Sequence, residues 1–367
     1  MSVHELALQR SKYKHLSDDE WRWFLQQVEG RERTADKLPT FANIEDWWYP
    51  VRLSCEQCSS ELTARYKASL VSGEKMADLT AGYGVDTYFI SEQFQRADYV
   101  EQNAELCRIA AHNFANKPIG IHHTTAEEFL QMAGKYDLIF ADPARRDAHG
   151  GKVFRLEDCT PNVVELLPEL LKHGKRLMLK LSPMLDLTQA VKELSSVNWD
   201  IYIVAVKNEV KEVLLLSGGN GTITAIDLDQ KDQAFVFTRE EEQNCPSSCR
   251  LSPFTYLYEP NAAILKAGAY KLVAQRFGLQ KLDVNTHLYV SDTLISDFPG
   301  RVWQIEEIIN HKLQISNANV LVRNYPLTPE QLKKKLHLRD GGTVFVIGCR
   351  VSGKPTLFRA QRVARDD

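Results

Sequence analysis

The sequence predicts an α/β fold with a mostly parallel sheet, followed by small α+β units. Three observations predict it. Apolar, strand-like runs alternate with helix-length segments from about residue 74 to 220. Met76-Ala-Asp-Leu-Thr-Ala-Gly-Tyr-Gly-Val-Asp86 reads as a short buried strand, a Gly-x-Gly bend, and a helix beginning at about Thr87. Four strand ends in the first half each carry a polar residue, at Asp78, Glu101, Thr125 and Asp142. The carboxyl ends of strands are where such folds build their pockets.

Residues 1–60 read as helical and rich in aromatics, with Trp21, Trp23, Trp47, Trp48 and Tyr49. Ser17-Asp-Asp-Glu20 is a capping box ahead of Trp21 to Val28. The aromatics are expected to form a small core or a patch docked on the main domain. A helix over Gln57 to Ala68 leads into the first strand.

The glycine bend itself admits several readings, including a plain structural turn. A dinucleotide site wants G-x-G-x-x-G, and counting from Gly82 and Gly84 its third glycine is replaced by Thr87. Asp78 sits at the strand end, where it would repel a pyrophosphate and accept from an ammonium group. Twenty-three residues after Asp78, the run Ala97-Asp-Tyr-Val-Glu101 ends a second strand on an acid. A carboxylate about 20 residues past a glycine loop is placed to accept ribose hydroxyls.

Leu106 to Phe114 has helical spacing, and His122-His-Thr-Thr-Ala126 reads as the end of a third strand. Tyr136 to Asp142 is an apolar strand running into Pro143-Ala-Arg-Arg146. Strand five is Arg176 to Ser182, and a helix follows over Leu187 to Leu194. Trp199 to Val206 and Val210 to Leu216 flank Lys207-Asn-Glu209 and read as a hairpin. Lys231 to Ser252 is expected to be a linker or loop. Pro260 to Phe277 reads as helical, Leu288 to Ser291 as a strand, and Arg301 to Ile305 as a strand with a helix running on to His311. The end reads β-α-β-β over Asn319–Val322, Thr328–Leu336, Gly342–Cys349 and Thr356–Ala360. No internal repeat is evident.

The chain has 367 residues, 44% hydrophobic and 25% charged, which is ordinary for a globular protein of two or three domains. No apolar run approaches the ~20 residues of a membrane helix, and Met1-Ser-Val-His-Glu-Leu-Ala lacks the features of a secretion signal. A cytoplasmic location and no membrane partner are the expectations. Seven cysteines do not suggest a disulfide framework. Cys55-x-x-Cys58 and Cys245-x-x-x-Cys249 lack a matching second knuckle, so reduced thiols and no metal are expected. Net charge is −3, yet Gln331 to Asp367 holds nine basic residues against three acidic ones, leaving −9 on the remainder. Such asymmetry suits an attached polyanion-binding module.

The pattern Asp78-x-Thr-Ala-Gly82-x-Gly84 resembles the first motif of class I S-adenosylmethionine-dependent methyltransferases. That resemblance implies a Rossmann-like, seven-stranded sheet ending in an antiparallel hairpin. It implies that Asp78, Thr80, Ala81, Gly82 and Gly84 hold the methionine end of the cofactor. Glu101 and Gln102 would take the ribose, and Thr125 and Ala126 the adenine, with Thr125 replacing the family's usual acid. Asp142-Pro143-Ala144-Arg145 resembles the [D/N/S]-P-P-[Y/F/W] motif of enzymes that methylate exocyclic amino groups. There the acid and the prolyl carbonyl orient the amine, which would make Asp142, Pro143 and Arg145 the catalytic set, with Asp142 also at the cofactor. The motif departs at Ala144 and at Arg145, although an arginine plane also stacks on bases. Arg146 is expected to help contact phosphate or base. Asp-Pro-x-Arg also resembles uracil C5 methyltransferases, but their nucleophilic cysteine is missing after Lys180-Leu-Ser182. Lys180, Ser182, Asp186 and Glu209 are expected along the same pocket edge in structural roles.

The whole chain resembles a family of bacterial methyltransferases with a ferredoxin-like segment and a C-terminal THUMP-like domain. The resemblance is carried by Ser59 to Lys67, Asp78 to Asp86, Asp142 to Arg146, Lys207-Asn-Glu209 and Arg323-Asn-Tyr-Pro326. It implies a helical region at 1–60, a methyltransferase domain at 61–228, a ferredoxin-like segment at 250–315 and a THUMP-like domain at 316–367. It also implies an RNA substrate, though not which base; transfer or ribosomal RNA read by the basic C-terminal domain, a purine amino group as acceptor and no stable protein partner are the accompanying expectations. A methyltransferase of proteins or small molecules, and a non-catalytic RNA-binding protein that keeps the fold, remain alternatives.

Overall fold

A computed structural model describes residues 3–145, 155–229, 234–246, 254–310 and 313–364. The chain forms two compact units, Met1–Asp200 with Glu212–Asn220, and Ile201–Lys211 with Gly221–Asp367. Strands of four or more described residues are β1 Gly73–Asp78, β2 Phe94–Glu101, β3 Ile119–His123, β4 Tyr136–Ala141, β5 Gly174–Leu181, β6 Trp199–Val206, β7 Glu209–Ser217, β8 Thr222–Asp227 and β9 Phe235–Thr238. They continue with β10 Tyr256–Pro260, β11 Gln280–Asp283, β12 Thr286–Ser291, β13 Gly300–Ile308, β14 Asn319–Arg323, β15 Val344–Val351 and β16 Lys354–Arg362.

The first unit is built on strands in the order β7-β5-β4-β1-β2-β3. All neighbours are parallel except β5 with β7. The chain passes from β1 to β2 and β3 on one side, then returns to β4 and β5 on the other. That reversal opens a crevice beyond the carboxyl ends of β1 and β4. Register brings the strand ends level, with Asp78 opposite both Tyr99 and Phe140.

The aromatic-rich N-terminal region is core of this unit. Leu38, Phe41, Trp47 and Tyr49 are buried against Tyr83, Tyr88, Phe89, Tyr99 and Phe114. Trp47 Nε1 donates to the Tyr83 hydroxyl at 2.8 Å, so an aromatic residue inside the glycine bend is the anchor. Ser17 and Glu20 form the expected capping box. The helix expected over Gln57 to Ala68 is two helices, Arg52–Gln57 and Glu61–Ser69, because Ser60 caps the second through Thr63 N. β3 ends at His123, and Thr125 caps the helix Ala126–Met132 in a reciprocal box with Glu128.

In the second unit β8 pairs parallel with β6 and antiparallel with β9. The turn after β6 places Lys207 and Asn208 at φ 53° and 59°, as a two-residue hairpin turn requires. A second sheet runs β11-β12-β10-β13-β16-β15-β14. Ser352 N and Gly353 N, in the β15–β16 turn, donate to Leu282 O and Asp283 Oδ2 of β11, so this sheet curls upon itself. Buried Glu259 on β10 pairs with Arg301 and Arg323.

Three expectations about single elements give way here. Within the segment read as a linker, β9 and the helix Arg239–Asn244 are regular, with Thr238 and Glu241 forming a capping box. The helix expected towards His311 is instead the end of β13, because Glu306 and Glu307 are held by Arg359 on the neighbouring β16. The helix expected over Pro260 to Phe277 breaks into Ala262–Ala267 and Tyr270–Arg276 at Gly268. Strands β10 to β13 and β14 to β16 belong to one sheet. No helix among the described residues is long and apolar enough to cross a membrane.

Candidate active site

The site is assembled at the carboxyl edge of β1. Asp78, the last residue of that strand, is fully buried. Its Oδ2 accepts from the Thr87 hydroxyl at 2.6 Å, and its Oδ1 accepts from Thr80 N at 3.1 Å. Thr87, the residue standing where a dinucleotide fold keeps glycine, therefore supplies the hydroxyl that fixes the acid. Burial pushes the Asp78 carboxyl up to about 7 against those two hydrogen bonds, and the nearby carboxylates of Asp86 and Asp142 add to the rise.

The bend beyond it is held from three sides. Gly82 N donates to Glu101 Oε2 at 3.0 Å, and Gly82 O accepts from the Tyr99 hydroxyl at 2.6 Å. Gly84 N donates to Ala81 O at 2.7 Å. Gly84 has φ 86°, and a Cβ there would stand 2.7 Å from the Phe114 ring. Gly82 differs, since a Cβ built on it meets only Thr80 O at 3.9 Å. Space lies open above Gly82, as a ligand lying against the bend requires.

Two cavities flank this bend. One is lined by Glu101, Gln102, Thr124, Thr125 and Ala126 together with Thr80 and Asp142. The other is lined by Asp78, Ala81, Gly84, Asp86 and Lys180, again with Thr80 and Asp142. Thr80 and Asp142 are the shared wall, and the Thr80 hydroxyl accepts from Asp142 N at 2.6 Å. An elongated ligand filling both cavities crosses between them beside Asp142.

Below the second cavity lies an ion network. Lys67 is fully buried and donates to both carboxylate oxygens of Glu212, at 2.6 and 2.7 Å. It also pairs with Asp86 Oδ1 at 3.2 Å, while Ser59 Oγ donates to Asp86 Oδ2 at 2.7 Å. Lys180 Nζ pairs with Asp142 Oδ2 and lies 3.9 Å from Asp86 Oδ2. Burial works against the Lys180 charge, but Asp142, Asp86 and Glu212 outweigh it and hold its pKa above the ordinary lysine range.

Among the predicted residues, Asp78, Thr80, Ala81, Gly84, Glu101, Gln102, Thr125, Ala126 and Asp142 come together in these walls, and Gly82 joins them through Glu101. The Thr125 hydroxyl is engaged as a helix cap. Pro143 follows Asp142 in the loop beyond β4. The backbone at Ala144-Arg145 pairs with Cys159-Thr160, but the Arg145 side chain and the whole of Arg146 lie outside the described residues. Of the four residues expected along the pocket edge, only Lys180 lines it. Ser182 accepts from Met184 N, Asp186 caps the helix Leu187–Glu193, and Glu209 pairs with Lys211 in the other unit.

Sequence reasoning missed the Lys67–Asp86–Glu212 cluster. Lys67 and Glu212 lie 145 positions apart, and a lysine on a helix otherwise reads as solvated. Cys55 and Cys58 accompany no third metal-binding group, because no cluster of three or more His, Cys, Asp or Glu suited to a metal occurs among the described residues. Cys249 lies outside them. The Cys55 thiol is pushed up to about 12 by burial and, less strongly, by Cys58.

Residues 256–299 match the ferredoxin-like domain family, and residues 300–362 match the family described as THUMP domain-like. Over its length the chain is similar to a crystal structure described as a "putative methyltransferase" from Porphyromonas gingivalis W83. The two share 33% identity and a TM-score of 0.85, over 95% of this chain and 92% of the other. It is also 21% identical, over 90% of its length and 92% of the relative's, to a Mycobacterium tuberculosis protein called an uncharacterized S-adenosylmethionine-dependent methyltransferase.

Gly84→Ala should cost about 1–3 kcal/mol in chemical denaturation, combining left-handed strain with a clash on Phe114; a change under about 0.5 kcal/mol would contradict the close packing. Asp78 binds its proton more tightly folded than unfolded, so it makes stability fall as pH rises from about 4 to about 7. Thermal melts of Asp78→Asn should lose that slope relative to the wild type. Parallel pH profiles for the two proteins would refute the buried acid.

Proposed function

We propose that this chain, which belongs to the same class I methyltransferase family as the Porphyromonas gingivalis protein, transfers a methyl group from S-adenosylmethionine to an exocyclic amino group of an RNA base. The observation that carries the reading is the convergence on Asp142. It closes the cavity of the glycine bend, closes the cavity of Glu101, and heads the Asp-Pro loop.

The Mycobacterium tuberculosis relative is named for its S-adenosylmethionine dependence, and the residues here suit that donor. Asp78 and the open face of Gly82 suit the ammonium and carboxylate of its methionine end. Glu101 suits ribose hydroxyls, and the Thr125–Ala126 wall suits adenine. When bound, the donor supplies a methyl group already activated by its sulfonium. The protein's part is to hold the nucleophile in line and exclude water. Asp142 and the carbonyl of Pro143 would accept from the two hydrogens of an amine and turn its lone pair towards the methyl group; as the N–C bond formed the S–C bond would break, the thioether would leave, and the surplus proton on nitrogen would pass through Asp142 to solvent. Because Lys180 balances the Asp142 charge, the pair suits an uncharged amino group, as on a purine, better than an alkylammonium.

RNA as the substrate is supported by the second unit. Residues 300–362 contain eleven Lys and Arg against four Asp and Glu, a net +7. Lys333 is neutralised by Asp340, whereas Lys334, Lys335 and Arg339 are exposed. The match to the THUMP domain-like family points the same way, since THUMP domains in related enzymes bind the acceptor end of transfer RNA.

Glu101→Ala should weaken S-adenosylmethionine binding about tenfold or more by calorimetry; unchanged affinity would remove Glu101 from the cofactor site. Nucleoside mass spectrometry of transfer and ribosomal RNA from cells lacking the protein should show one N-methylated purine missing and restored by the wild-type gene. An unchanged RNA profile, with label from the donor appearing in protein or small molecules instead, would overturn the RNA assignment. Lys334→Glu with Lys335→Glu should weaken RNA binding and reduce the salt slope by about 1 for each phosphate no longer neutralised.

A further inference from the structure

We propose that the buried ion network sets the charge facing the donor's sulfur, and so makes the site prefer the cationic donor over its uncharged product. The inference rests on the reading of S-adenosylmethionine as donor. It concerns Lys180, Asp142, Asp86, Lys67 and Glu212 rather than the groups that grip the cofactor.

A ligand filling both cavities passes between them beside Thr80 and Asp142, the two residues common to their walls. The sulfur is the atom that joins the methionine half of the donor to its adenosine half, so it belongs at that passage. Asp142 is tied to Lys180, Lys180 approaches Asp86, Asp86 pairs with Lys67, and Lys67 pairs with Glu212. Burial pushes the Glu212 carboxyl up, but both of its oxygens accept from the Lys67 ammonium, which holds that pair in its charged form; three carboxylates against two ammonium groups then leave one formal negative charge. Lys67 and Glu212 are nearly inaccessible to water, and Asp86 almost so, so the inner part of the network is weakly screened, while Asp142 at its outer end is 37% exposed and more strongly screened.

The Lys180–Asp142 pair is balanced, so the excess lies behind it on Asp86, Lys67 and Glu212; a negative charge beneath the passage is balanced by a sulfonium and not by a thioether. S-adenosylmethionine thus completes the network, and S-adenosylhomocysteine leaves it one positive charge short. The free energy of product binding is reduced by that difference, which favours release after transfer. Lys180 acts here as a tuning residue. It cancels part of the carboxylate charge and keeps Asp142 aligned for the acceptor.

The test measures dissociation constants for S-adenosylmethionine and S-adenosylhomocysteine by calorimetry on the full chain at one pH near 8. The quantity of interest is their ratio, product over donor. A partly unfolded variant weakens both ligands alike, so the ratio is insensitive to loss of stability. Lys180→Met deepens the negative excess and should raise the ratio about tenfold. Asp142→Asn removes the excess and should lower it about tenfold. The double variant restores the original count and should return the ratio to near the wild-type value. A ratio constant within about twofold, or moving the same way in both single variants, would overturn the charge-balance proposal while leaving the donor assignment intact. A wild-type protein that binds neither ligand would remove the donor assignment, and this proposal with it.

Discussion

A lysine ammonium without access to water can remain in a folded protein only if carboxylates are brought to it. Lys67 imposes that condition on the first unit. Its helix, Glu61–Ser69, must lie where Glu212 on β7 and Asp86 at the start of the helix Val85–Ser91 can both reach the same nitrogen. Asp86 in turn faces Lys180 on β5, and Lys180 faces Asp142 at the end of β4. Five segments that are far apart in the chain thereby converge beneath one cavity. Replacing such a network with apolar residues is often neutral or stabilising in other proteins. Its place directly under the shared wall of two cavities therefore points to positioning and charge as its use.

The second frame around the site is apolar. Tyr83 stands between the two glycines of the bend, and Trp47 from the N-terminal region donates to its hydroxyl. Phe114 closes on Gly84 from the other side. The bend is thus gripped by aromatic packing behind and by Glu101 and Tyr99 beside it, while the face above Gly82 stays open. Rigid support with one open face is how a glycine loop keeps backbone groups ready for a ligand at little ordering cost.

Much of this was legible in the sequence, because it is written in local patterns. The strand, bend and helix from Met76 to Asp86 use residues whose preferences agree, and the acid at Glu101 falls at a helix-length spacing. The exchange of a third glycine for Thr87 was readable as a departure from a dinucleotide site. Only the structure shows its purpose, which is to hold Asp78. What stayed hidden depends on distant pairing. The charge on Lys67 is explained by Glu212, and Glu306-Glu307 is a strand because Arg359 lies beside it. The wall at Thr124–Thr125 is a helix cap rather than a strand end, a distinction set by Glu128. Short helices such as Arg239–Asn244 were obscured by a polar composition that a loop would share.

In the proposed function the cavities on either side of Thr80 and Asp142 are two halves of one donor site. A crystal structure of the protein with S-adenosylhomocysteine tests it most directly. A single extended ligand is expected, with its amino group at Asp78, its ribose hydroxyls on Glu101 and its sulfur beside Asp142. A ligand confined to one cavity, or one whose adenosine lies against Asp78 and Gly84, would contradict it.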